Sequence, residues 1–179
     1  HRAADILVIN KLENASAEGL ERLSDNARSL NPTAPLLESD LAQSIEGSPI
    51  TGKRVLVIED GPTLTHGGMA AGAGARAAEQ AGATPIDPRP HAVGSIAEAY
   101  RAYPHLCAGL PALGYSNQQL DELRETIAAA RPQVVVDASP AGVASMLELT
   151  PPSARVRYRF EQREGPPVER LVDAALRNA

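Results

Sequence analysis

Two adjacent carboxylates, Glu59 and Asp60, close a run of apolar residues, Val55-Leu56-Val57-Ile58. Thr63, Thr65, His66 and the pair Gly67-Gly68 follow. Residue types in that order suit the handling of a phosphorylated anion. Carboxylates hold Mg2+ or take a proton as general base. Threonine hydroxyls donate to phosphate oxygens, and a histidine donates, shuttles a proton or accepts a phosphoryl group. Glycines let a ligand approach the backbone, and the first N–H groups of a following helix attract an anion. Plainer roles compete at each position. Glu59 and Asp60 also suit a turn or a helix cap, Thr63 and Thr65 ordinary loop hydrogen bonds, and His66 an unremarkable loop site.

Further along, Arg89 stands between Pro88 and Pro90. The prolines fix the backbone, and the guanidinium suits bidentate contact with phosphate or carboxylate. A structural bridge to a strand-end carboxylate is the alternative. Near the start, the tetrapeptide Asn10-Lys11-Leu12-Glu13 follows the apolar run 5–9. It resembles the N-K-x-D base-recognition loop of GTPases. With Glu13 one methylene longer than aspartate, its guanine selectivity is weakened. Two motifs are excluded. No G-x-x-x-x-G-K-[ST] phosphate loop occurs in the chain, and the G-x-G-x-x-A match at Gly72–Ala77 lies too far beyond its strand to be a dinucleotide fingerprint. His66, His91, His105 and Cys107 form no recognisable zinc pattern.

The elements that must position these residues alternate. Residues 5–9 read as a strand, and Ser16 caps a helix with Leu20, Leu23, Ala27 and Leu30 on one face. Residues 35–38 read as a short strand, 42–52 as a polar connector, and 54–58 as a strand buried on both faces. A loop through Gly68 then leads to a small-residue helix ending near Ala81, and 83–87 form the next strand. Capping boxes at Ser95–Glu98 and Ser116–Gln119 open two helices separated by a loop, 104–114. Residues 133–137 are a buried strand, followed by a short helix at 142–147. Residues 155–160 alternate Arg155, Arg157 and Arg159 against Val156, Tyr158 and Phe160. A final helix runs from about Pro167 to Leu176. Strands alternating with helices predict the α/β class, with a mostly parallel sheet covered on both faces.

The composition, 43% hydrophobic and 22% charged, is that of an ordinary globular protein, and a net charge of −5 argues against general nucleic-acid or anionic-membrane binding. One cysteine precludes an internal disulfide and points to the cytoplasm. No apolar run reaches membrane-spanning length, and the absence of an initiator methionine suggests a fragment.

Three long motifs carry a resemblance: EDGPTLTHGGM at 59–69, DPRPHAVGSIAEAY at 87–100 and YPHLCAGLPALGYS at 103–116. Together they resemble the cyclic 2,3-diphosphoglycerate synthetase family, of which the chain matches the C-terminal part. The resemblance implies a P-loop NTPase-like three-layer sandwich lacking its N-terminal P-loop half. Residues 1–50 would be the remnant of the nucleotide-binding domain and 51–179 the substrate-binding portion. It implies an ATP-dependent ligase, with GTP as the alternative nucleotide, that closes an intramolecular phosphoanhydride in a phosphorylated small molecule with Mg2+. Glu59, Asp60 and His66 would be catalytic, with Glu59 and Asp60 holding the metal. Asn10, Lys11 and Glu13 would face the base, and Thr63, Thr65, Gly67, Gly68 and Arg89 the phosphates. A homo-oligomer is expected. A GTPase of the metal-insertion or chaperone kind and a non-catalytic phosphate-binding module are the alternatives.

Overall fold

The computed structural model describes residues 3–12, 15–67 and 72–178. It is of the α/β class, with a mostly parallel sheet and helices around it. The chain divides into two compact units, residues 43–157 and residues 1–42 with 158–179.

The larger unit is built on β3 (Arg54–Asp60). One flank pairs in parallel with β6 (Val134–Asp137). Its other neighbours share its length: β4 (Thr84–Pro85) pairs with Arg54 and Val55, and β5 (Leu110–Ala112) with residues 58–60. The first residues of β7 (Ser153–Glu164) pair with β6, again in parallel. An all-parallel strand buries both faces, so its sequence runs apolar without alternation. The side chains nevertheless sort by parity. Leu56, Ile58 and Val135 pack on one face with Ile96 of α4 (Gly94–Ala102) and Leu123 and Ile127 of α5 (Asn117–Ala130). Val55, Val57, Val134 and Val136 pack on the other with Ala77 and Ala78 of α3 (Ala73–Gln80). Alanines and glycines in α3 bring that helix close to the sheet.

In the smaller unit β1 (Leu7–Asn10) runs parallel to the first residues of β2 (Leu36–Gly47), and α1 (Ala17–Leu30) connects them. Ser16 caps α1 through a bond from the Gly19 amide, as its sequence predicts. Asn31 ends the helix and holds the next turn, its amide donating to the Ala4 carbonyl at 2.8 Å and its Oδ1 accepting from Ala34. The end of β7 and α6 (Val168–Asn178) complete this unit.

Four elements differ from expectation. Residues 36–47 form one long strand, where a short strand and a polar connector are predicted. Its polar side chains find partners on β7, with Asp40 bound to Arg163 at 2.6 Å and Glu46 to Arg157 at 2.8 Å. The threonine-bearing loop is a short helix, α2 (Gly61–Gly67). The loop 104–114 contains β5, a three-residue strand too short to leave a pattern. Ser95 does not cap α4. Val93 holds that position, and Ser95 instead gives its amide and hydroxyl to Glu122 of α5. Among the described residues, no helix is long and apolar enough to cross a membrane.

Candidate functional site

The strands of the larger unit bring their carboxyl ends together around Glu59, the position where open parallel sheets take ligands. Glu59 is 4% exposed. Its Oε1 accepts the Ala75 amide at 2.8 Å, and the Gly74 amide contributes a second bond. The carboxylate therefore occupies the N-terminus of α3, where unpaired N–H groups would otherwise await an anion. Burial pushes its pKa above the usual carboxylate range, against the pull of those amides and of Arg76. Three glycines make room for it. A Cβ on Gly72 would collide with the carboxylate itself, one on Gly109 would lie 2.7 Å from Glu59 Cγ, and one on Gly74 would lie 3.1 Å from Oε1. The glycine-rich sequence thus serves an internal carboxylate. Asp60, next in the chain and half-buried, pairs with the Ala112 position of β5.

A second carboxylate, Asp137, ends β6 at 2% exposure. It accepts the Ser139 amide and hydroxyl at 2.9 and 2.6 Å and the Ala144 amide at 2.8 Å. These bonds lock the turn after the strand. Sequence reasoning left Asp137 out, although an acid closing an all-valine strand was a signal available to it.

Beyond β4, Asp87 and Arg89 face each other fork to fork. Nε lies 2.9 and 3.0 Å from the two carboxylate oxygens, and Nη2 lies 2.7 Å from Oδ2. Asp87 also accepts the Arg89 amide at 3.0 Å, tightening the proline-flanked turn. The hydrogen bond from Arg89 holds the Asp87 pKa below its ordinary value, and Asp87 in turn raises that of Arg89. Tyr100 stands within electrostatic reach of both. Its hydroxyl, raised in pKa by burial, donates to the Gly109 carbonyl at 2.6 Å, and Gly109 packs on Glu59. Tyr100, Gly109 and Glu59 therefore form one contiguous group, with Asp87 and Arg89 within electrostatic range of Tyr100. Tyr100 and Gly109 lie within the motifs at 87–100 and 103–116, but nothing local singles them out there.

The remaining predicted residues fall as follows. Thr65 donates within α2 to the Gly61 carbonyl at 3.0 Å. Thr63, His66 and Gly67 lie on the same helix, with side chains outside the described set; Gly68 and Glu13 lie outside the described residues altogether. His105 Nε2 sits 3.1 Å from the Leu64 carbonyl and ties the loop before β5 to α2. In the smaller unit Asn10 ends β1, its Oδ1 accepting from the Lys11 amide at 2.9 Å and the Ser39 hydroxyl at 3.1 Å, while Lys11 adopts the left-handed conformation, φ 67°. Among the described residues no three His, Cys, Asp or Glu side chains gather as a metal site. Glu59 Oε1 is engaged by the start of α3.

No family model matches the chain. Over 179 residues, 99% of the chain, it is 42% identical to a protein named arginine synthetase ArcE from Thermococcus kodakarensis, and it spans 40% of that relative's length. This finding corrects the resemblance to cyclic 2,3-diphosphoglycerate synthetase and the phosphoanhydride-forming function drawn from it, together with the two alternatives. Physically, the three motifs build a strand end, a helix start and the glycine collar of a buried carboxylate. Such scaffolding can be shared by enzymes of different chemistry.

Proposed function

We propose that this chain is part of a nucleotide-dependent ligase that completes the guanidino group of arginine. The observation that carries the reading is 42% identity to an arginine synthetase along almost the whole chain. Forming that group joins nitrogen to a ureido-type carbon, whose oxygen is a poor leaving group. In this reading the ureido oxygen first attacks a nucleotide phosphorus, and the polyphosphate remainder departs with the broken P–O pair. An amine then forms the new C–N bond, and the oxygen leaves on the phosphorus group with the C–O pair. The amine must give up a proton, and Asp60 at the end of β3 is the proposed acceptor. Glu59 is a positioning residue, which holds the start of α3 against β3.

The phosphate side falls to Thr63, His66, Gly67 and Gly68 of the larger unit. ATP is the proposed nucleotide, with GTP the alternative. Its phosphates would bring Mg2+ with them. The test is arginine formation by the intact longer protein, followed by mass spectrometry with L-citrulline, ammonium and either nucleotide. Arginine that appears only with nucleotide supports the reading. Nucleotide turnover without arginine, or no turnover, refutes it.

A further inference from the structure

The Asp87–Arg89 pair is built more rigidly than its contribution to stability warrants. The Arg89 and Asp87 side chains are 48% and 43% exposed, and ion pairs this exposed contribute little to stability. Yet Pro88 between the two residues and Pro90 after Arg89 fix the backbone, and Asp87 accepts the Arg89 amide. The pair stands just past the carboxyl end of β4, within electrostatic range of Tyr100. Nε and one Nη2 hydrogen serve Asp87, which leaves three of the five guanidinium N–H groups for a ligand. A preformed cation and anion side by side complement a molecule that carries an anion and a cation one carbon apart.

We propose that Asp87 and Arg89 form a clamp for the zwitterionic head of an α-amino acid, Arg89 receiving the carboxylate and Asp87 the ammonium. The inference rests on the arginine reading, because it assigns the head group of that same substrate or product. It differs from a phosphate site. A phosphate would be drawn to Arg89 but repelled by the adjoining carboxylate, whereas a zwitterion satisfies both. Arginine's planar fork matches the carboxylate bidentately, a geometry that lysine does not supply.

Calorimetric titration of this chain with three probes tests the proposal: L-arginine, agmatine, which lacks the carboxylate, and Nα-acetyl-L-arginine, which lacks the ammonium. The clamp requires L-arginine to bind about ten-fold or more tightly than either analogue, the loss that one charged hydrogen bond entails. Arg89→Ala should then bind L-arginine and agmatine alike, Arg89→Lys should recover part of the preference, and Asp87→Asn should erase discrimination against Nα-acetyl-L-arginine. Unchanged melting temperatures in these exposed-site variants would separate binding from folding. L-Arginine binding that tolerates loss of the carboxylate, or discrimination that survives Arg89→Ala, would overturn the clamp and leave the arginine reading standing. A wild-type chain that binds none of the three probes would overturn the clamp, and arginine formation by the intact longer protein would then decide the arginine reading by itself.

Discussion

Replacing Glu59 by alanine separates a residue that builds the site from one that only occupies it. The side chain is almost fully buried, so the substitution withdraws one methylene from the interior, worth about 0.8 kcal/mol, together with the carboxylate. It also leaves the Ala75 and Gly74 amides without their acceptor, and loss of a helix N-cap costs about 0.5–2 kcal/mol. Relief of the burial that raises the carboxylate pKa returns part of this. The net loss should lie between about 1 and 3 kcal/mol, which for a chain of this size lowers the melting temperature by roughly 2–12 °C. Glu59→Gln keeps an oxygen on the same amides and should stay within about 1 kcal/mol of wild type. Urea unfolding followed by circular dichroism measures both variants. A Glu59→Ala protein as stable as wild type and Glu59→Gln would refute the cap. In that case the raised pKa would mark a group held for chemistry.

The glycine collar gives a companion test. Gly109→Ala places a methyl 2.7 Å from Glu59 Cγ and should cost about 1–3 kcal/mol, whereas Gly52→Ala meets no neighbour and should cost only about 1–2 kcal/mol for its left-handed backbone. The Gly109→Ala penalty should shrink in a Glu59→Ala background, and a double-mutant cycle that shows simple additivity would count against the contact. The pH dependence of stability has a definite sign. With its folded pKa raised, Glu59 contributes stability that is complete below the unfolded carboxylate pKa and is lost as pH rises through the folded value. Asp87, lowered by Arg89, does the reverse: its contribution is present above the unfolded pKa and fades as pH falls through the folded one. Exposure and salt weaken the Asp87 part, so at 0.5 M salt the wild type should lose stability between acidic and neutral pH relative to Glu59→Gln. Parallel profiles for the two proteins would contradict the burial argument.

How much of this was written in the sequence follows from the range of each interaction. The apolar runs at 54–58 and 133–137 announce buried parallel strands because that pattern is local, and Ser16 and Ser116 announce helix starts because a cap reaches only three residues ahead. Both boundaries hold in the structure. The Ser95 box fails because Glu122, 27 residues away, offers a charged acceptor to the same hydroxyl and amide. The polar stretch 42–47 becomes strand because Arg157, more than a hundred residues later, pairs with Glu46. The acids and glycines around Glu59 were legible as a special place, but their meaning was not. Only the fold brings the first turn of α3 and Gly109 onto one carboxylate. Arg89 shows the same division. Its proline frame is local and could be read directly, while the buried Tyr100 within electrostatic range of it is brought there by tertiary structure that no short-range pattern encodes.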